Sequence, residues 1–168
     1  MEYFNETLAL ELEHIGHPIL AELYRECKNK KHMCFKRCGN VIVGMQFDPD
    51  KQSTLNRNGI VDRRYAKFRS ERISEVVFLY EPHWKTTLTQ WRHIFANSAV
   101  MYAKGKSVQP NSFDTDIQAI CAPGIHFFLT LEAALCYEPK SGSCLFWLSN
   151  GFEYNVPNIL DIGSCLEL

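Results

Sequence analysis

The sequence predicts a single α+β domain with a mostly antiparallel sheet, on the basis of length, composition and the order of its elements. A chain of 168 residues is the size of one domain and is long enough to bury a core. A hydrophobic fraction of 46% and an aromatic fraction of 12% are typical of a folded globular protein. The predicted strands outnumber the helices and do not alternate with them, which argues against a doubly wound parallel sheet.

The N-terminal segment, residues 1–33, has the pattern of helix. Asn5 is a suitable N-cap, and Glu6 follows it in the first turn, where the helix dipole favours an acid. Apolar residues then recur at helical spacing up to about Cys27. Gly16, His17 and Pro18 interrupt the pattern, so we expect either two short helices or one kinked helix.

The rest of the chain is mainly strand-like, with turn residues between the strands. We predict strands over residues 41–47, 73–80, 99–103, 124–129 and 144–148. Residues 84–91 suit either a strand or a short helix, and Thr130 caps a predicted short helix over residues 131–137. Asp114 and Asp116 suit turn hydrogen bonding. We therefore expect one domain with an α+β core over residues 34–137. The helical segment, residues 1–33, precedes this core, and a C-terminal strand and tail, residues 138–168, pack on it.

The charge balance makes nucleic acid an unlikely partner. Eighteen basic and nineteen acidic residues give a net charge of -1, whereas proteins that coat nucleic acid are basic. Residues 62–72 carry five Lys or Arg residues, which we interpret as a solvated strand face. No stretch approaches a membrane span, and the N-terminus does not resemble a signal peptide. We expect a protein that is not secreted, with its seven cysteines kept as thiols.

The middle of the chain resembles a known but uncharacterised family. Residues 102–114 (YAKGKSVQPNSFD) and 121–130 (CAPGIHFFLT), followed by Glu132, Ala133 and Tyr137, resemble a domain found in giant viruses of amoebae, often beside pentapeptide repeats. The resemblance extends over residues 34–137 and implies viral origin and a shared fold, but no chemistry. This chain lacks pentapeptide repeats, and the family's usual cysteine is replaced near Ser70.

One metal site and one nucleophile are candidates. Four possible zinc ligands occur close together in the sequence: Cys27, His32, Cys34 and Cys38. Their spacing lacks the paired C-x2-C of standard fingers, so buried thiols are the favoured alternative. Cys121 and His126 could form a nucleophile and its base, with an acid nearby. A histidine between apolar neighbours is more often a satisfied core residue.

A comparison with ADP-ribosyltransferases gives a second enzyme hypothesis. A strand with a Gly-Ile-aromatic sequence before a short helix resembles the central segment of those enzymes, which bind NAD. The resemblance implies a cofactor role for His126 and Tyr102, and Glu153 is the one late candidate for a catalytic acid. The first strand lacks the expected Arg or His followed by Gly. We expect no cofactor.

The sequence therefore favours a non-enzymatic viral protein, located in the host cytoplasm or the virion. It would act as a virion component or as a host-interaction protein that binds a protein partner, and a homodimer is an alternative. An NAD-binding enzyme or its inactive relative, and a small zinc-stabilised module, remain the other hypotheses.

Overall fold

The computed structural model describes residues 1–95 and 98–137 and confirms the α+β class. Helix α1 (Glu6–His14) and helix α2 (Pro18–Glu26) are two separate helices. The Asn5 side chain caps α1, since its Oδ1 accepts from the backbone amides of Thr7 at 3.1 Å and Leu8 at 3.4 Å. Pro18 begins α2, where a helix needs no backbone N–H. The Gly-His-Pro interruption thus separates two helices.

Strands make up most of the remainder of the described chain. They are β1 (Met33–Cys38), β2 (Val41–Phe47), β3 (Lys67–Ser70), β4 (Ile73–Glu81), β5 (Thr86–Thr87), β6 (Gln90–Phe95), β7 (Ser98–Ala103) and β8 (Ile125–Phe128). Helix α3 (Leu131–Cys136) follows β8, as predicted. The ambiguous residues 84–91 contribute β5 and the start of β6, and the predicted strand 144–148 lies outside the described residues.

The described strands form a six-stranded sheet and a separate hairpin. The sheet has the order β3-β8-β1-β2-β4-β5, and β6 pairs with β7 alone. Neighbouring strands run antiparallel throughout these pairings. β1, which follows the helices, lies in the middle of the sheet, and β8 fits between it and β3 although it comes last.

Each face of the sheet is covered by a different core. On one face, Phe35 and Phe78 pack with Tyr24 and other apolar residues of the helices. On the other face, Phe68 and Phe127 pack in the cluster that includes Tyr102 of the β6–β7 hairpin. Because side chains alternate along a strand, Cys34, Lys36 and Cys38 of β1 face the hairpin while Phe35 faces the helices. The candidate residues are therefore divided between the two faces: Cys27 lies on the helix side, and Cys34, Cys38 and Tyr102 lie on the hairpin side.

The basic stretch 62–72 contradicts the sequence interpretation in part. Arg63 and Arg64 are exposed, as expected of a solvated face, but all four residues of β3 are buried. Arg69 is 0% exposed and Lys67 is 6% exposed. The loop before β8 covers this edge of the sheet, and its carbonyl groups accept hydrogen bonds from Arg69. An edge strand that is covered in this way is protected from pairing with other chains.

In the part of the chain that the structure describes, no helix combines the length and apolar character needed to cross a membrane.

Candidate functional site

Two of the residues predicted from sequence, His126 and Cys121, hold structural positions near the β3 edge. His126 Nε2 lies 2.9 Å from the carbonyl oxygen of Ala122, so this ring nitrogen carries the proton and donates it. Burial, followed by the positive charges of Lys36 and Lys67, lowers the pKa of His126 to about 3. A histidine that resists protonation this strongly is poorly suited to accept a proton at neutral pH.

Cys121 is disulfide-bonded, which corrects the expectation that every cysteine is a thiol. Cys27, Cys34 and Cys38 are free thiols. The nucleophile hypothesis requires a thiolate, and a disulfide sulfur is not one. The Cys121 Sγ lies 4.0 Å from Lys67 Nζ, and no hydrogen bond joins Cys121 to His126 among the described contacts.

Tyr102 lies on the other face of the sheet. It is 0% exposed, and it shares a hydrogen bond with the Cys38 thiol. Burial raises its pKa well above the ordinary value. The Lys36 ammonium lies 6.0 Å from the centre of the Tyr102 ring. Ile125 and Phe127 pack with Tyr102, so the side chain of His126, which alternates with them, points to the opposite face. The two residues that the transferase comparison assigned to NAD therefore do not share a cleft.

The proposed zinc ligands are also separated by the sheet. Cys27 packs on the helix side and its thiol donates to the carbonyl of Leu23 at 3.2 Å. Cys34 and Cys38 are buried on the hairpin side, where burial raises their pKa values, to about 11 for Cys38. His32 is exposed. No group of metal-binding side chains occurs within residues 1–95 and 98–137. Glu153 lies outside the described residues.

Arg69 explains the fold of the loop over residues 111–124. Its guanidinium donates to the carbonyl of Ala119 at 2.8 Å, of Asp114 at 2.7 Å and of Pro123 at 3.0 Å, and it also donates to the carbonyl of Asp116. The aspartate side chains form turns, as the sequence predicted, by accepting from the amides of Asp116 and Gln118. Arg69 is thus a structural residue whose donors are used within the loop.

A cavity of about 360 Å³ lies near the N-terminus, and its lining residues are not among the catalytic or metal-binding candidates singled out from the sequence. We call it the N-terminal cavity. It lies between the segment before α1, the loop before β3 and the start of α3, and it is lined by Tyr3, Phe4, Asn5, Arg64, Tyr65, Thr130 and Glu132. Thr130 shapes it by capping α3 and by donating from its hydroxyl to the Arg64 carbonyl at 2.5 Å. The cavity therefore combines three aromatic rings with a carboxylate.

The carboxylate of Glu132 is incompletely paired. Glu132 is 7% exposed, and its Oε1 accepts from Asn5 Nδ2 at 2.8 Å. Its Oε2 is buried without a hydrogen-bond donor in the described part of the structure. Burial raises the pKa of Glu132, while hydrogen bonds from Asn5 and from its own main-chain amide, and the charge of Arg64, oppose the shift. The charge of Glu11 raises the pKa to a smaller extent. A buried polar atom without a partner is uncommon in folded proteins and calls for an explanation.

A second cavity, of about 270 Å³, lies beside the first and shares Tyr3 with it. Its lining includes the basic residues Lys31 and Arg63 and the apolar residues Met33 and Leu129. Tyr3 is therefore a wall that the two cavities have in common.

Comparison with known proteins adds a family but no activity. Residues 24–134 match a family of unknown function, DUF5758. The chain belongs to the DUF5758 family. The match confirms that an uncharacterised family covers most of the range 34–137 expected from sequence. No curated protein and no solved structure matches the chain. Within the N-terminal cavity, residues 64–65 and 130–132 fall inside the DUF5758 match, whereas residues 3–5 precede it.

Sequence reasoning missed the N-terminal cavity because its lining comes from three distant segments. Asn5 and Glu132 are 127 residues apart and meet through one hydrogen bond. Asn5 was recognised as a helix cap and Glu132 as part of a family motif, and neither role indicates a shared site. The one signal in the sequence was an acid in the first turn of a helix that is otherwise apolar.

Proposed function

We propose that this chain is a non-enzymatic viral protein that binds another protein through the N-terminal cavity and its neighbour. It serves as a virion component or as a factor that engages a host protein, in the host cytoplasm or in the virion. The observation that carries the proposal is the buried Glu132 Oε2, for which the described residues supply no donor, in a residue that lines a cavity together with Tyr3, Phe4 and Tyr65. A bound partner supplies the missing donor.

The shape of the surface favours a polypeptide over a small molecule. Tyr3 lines both cavities, so a ligand that occupies both must extend across this side chain. Both linings carry both signs of charge: Arg64 and Glu132 line the first cavity, and Glu2, Lys31 and Arg63 line the second. Tyrosine is common in the energetically important parts of protein interfaces, because it offers a large surface with few rotatable bonds. An extended segment that carries a basic and an acidic residue matches this pattern.

The positions of the catalytic candidates support a role without turnover. His126 donates to a main-chain carbonyl, and its pKa is lowered to about 3. Cys121 is disulfide-bonded. Tyr102 of β7 is buried in the core between the hairpin and the large sheet. Viral origin rests on the resemblance of residues 102–114 and 121–130 to the giant-virus family.

Affinity capture from infected cells tests the proposal. Proteins recovered with the wild-type chain are compared with those recovered with Glu132→Gln, and with Glu22→Gln as a matched control. Glu22 is an exposed acid on α2. We expect a partner that is retained by the control and lost with Glu132→Gln, and whose purified form binds the wild-type chain directly. Identical partners for all three proteins would contradict the proposal, as would any turnover that depends on His126 or stabilisation by millimolar NAD.

A further inference from the structure

Within the described part of the chain, the N-terminal cavity is lined by a residue, Glu132, that has a buried carboxylate oxygen without a donor, and the geometry of this carboxylate limits the ligand. Glu132 Oε1 is already occupied by the Asn5 amide at 2.8 Å. Glu132 Oε2 alone remains without a donor among the described residues. A guanidinium group binds a carboxylate best with two parallel hydrogen bonds, one to each oxygen. An ammonium group is a compact point charge that needs one acceptor oxygen.

The buried charges around the vacancy are negative. Glu11 of α1 also has a buried Oε2 without a donor in the described structure, and its charge acts on Glu132. The positive groups nearby are Arg64, which is committed to Asp62 through three contacts of 2.7 to 3.1 Å, and Lys28, which lies 5.1 Å from the Phe4 ring. The Arg64 side chain is 58% exposed and Lys28 is exposed, so water partly screens both charges, although the charge of Arg64 still acts more strongly on Glu132 than that of Glu11 does.

The aromatic walls suit the rest of such a ligand. Tyr3, Phe4 and Tyr65 can pack against the methylene groups of an alkyl chain, and their ring faces attract a cation. Two of these rings already have cations near them, since the Arg64 guanidinium lies 5.7 Å from the Tyr65 ring and Lys28 lies beside Phe4. A ligand that brings its own ammonium group must therefore gain most of its affinity from Glu132.

We infer that the N-terminal cavity binds an alkylammonium group, namely the side chain of a lysine in the partner protein, in preference to a guanidinium group. This inference rests on the proposed function and names the chemical group that occupies the cavity. The ammonium donates a hydrogen bond to Glu132 Oε2, and its methylene chain lies against the three rings. Because Oε2 is buried, a neighbouring group must move when the ligand reaches it. Acidification weakens binding, because protonation removes the charge of Glu132. The titratable or charged groups that act on this carboxyl group are Glu11, Arg64 and Tyr65.

The test is an NMR titration of the purified protein with n-butylammonium and n-butylguanidinium. We expect butylammonium to shift the aromatic signals of Tyr3, Phe4 and Tyr65, with a Kd at least threefold lower than that of butylguanidinium. Glu132→Gln should weaken butylammonium binding at least tenfold, and Glu22→Gln should leave it unchanged. Equal or tighter guanidinium binding, or equal binding by Glu132→Gln, would overturn the inference. If Glu132→Gln does not fold, the Kd values of the two cations for the wild-type chain are sufficient to support or overturn the inference.

The same titration separates the inference from the proposed function. If partner capture depends on Glu132 but butylammonium does not bind, the alkylammonium inference fails and the binding function stands. If butylammonium binding depends on Glu132 but every captured partner is retained by Glu132→Gln, the proposed function fails and the ligand class stands.

Discussion

Two buried charged side chains, Arg69 and Glu132, have opposite surroundings in this fold. Arg69 is 0% exposed, and its guanidinium donates to four main-chain carbonyl groups of one loop. Glu132 is 7% exposed, and its carboxylate accepts one side-chain hydrogen bond while Oε2 accepts none from the described residues. Both positions bury a charge, but only one supplies the hydrogen bonds that a buried charge requires. The difference separates a residue that builds the fold from one available to a partner.

The largest expected effect is on the stability of Arg69→Met. This substitution removes a donor from four carbonyl groups, of which those of Asp116 and Pro123 keep a main-chain amide as a second donor. We expect the free energy of unfolding to fall by about 3 to 5 kcal/mol. Urea denaturation measures the change. Arg92→Met is the matched control, because Arg92 is exposed on β6, and it should change stability by less than about 0.5 kcal/mol. A loss below about 1 kcal/mol for Arg69→Met would mean that the loop does not depend on this side chain.

The buried histidines and Glu132 should change the free energy of unfolding in opposite directions as the pH is lowered. The pKa of His126 is lowered to about 3, that of His17 to about 4 and that of His93 to about 4, mainly by burial. Their unfolded-state pKa is about 6.5, so below that pH the unfolded chain binds more protons and stability falls. The loss is about 1.4 kcal/mol for each unit by which a histidine pKa is lowered.

Glu132 should act in the opposite direction. Its folded-state pKa is raised, so between the ordinary value of about 4.3 and the raised value the folded chain binds the extra proton. Its contribution to stability therefore falls as pH rises through that window. Urea denaturation at several pH values, for the wild type, His126→Gln and Glu132→Gln, separates the two effects. His126→Gln should reduce the loss of stability on acidification, and an unchanged pH profile would show that His126 titrates normally in the folded state.

A smaller effect is expected for Glu132→Gln at neutral pH. The substitution keeps an oxygen that accepts from Asn5 but removes an incompletely paired buried charge. We expect the free energy of unfolding to stay the same or to rise by about 1 kcal/mol. Thermal denaturation measures it, with Glu22→Gln as the control that should not differ from wild type. A loss of more than about 2 kcal/mol would place Glu132 with Arg69 as a structural residue.

Sequence reasoning succeeded where local patterns determine structure. The strands at residues 41–47 and 73–80, and the helix after Thr130, follow from periodicity and capping, and the structure has them in those places. It did not anticipate that the basic segment at residues 67–70 is buried, because charge is normally a sign of exposure. The burial depends on carbonyl groups of a loop roughly fifty residues away, which no local pattern encodes.

The candidate site was predicted less well for a related reason. The conspicuous residues His126, Cys121 and Tyr102 were singled out by residue type, and the structure places each of them in a satisfied or buried position. The N-terminal cavity depends instead on a missing contact at Glu132. A vacancy is visible only when all the surrounding segments are folded together, and so it leaves no pattern in the sequence.

The most direct test of the central claim is the pKa of Glu132, measured by ¹³C NMR of the side-chain carboxyl group with and without n-butylammonium. The account predicts a pKa clearly above the ordinary value of about 4.3 in the free protein, because burial raises it, and a lower pKa when the amine binds and stabilises the carboxylate. A pKa near 4.3 that does not respond to saturating amine would show that the carboxylate is solvated and binds no cation, and it would contradict the account.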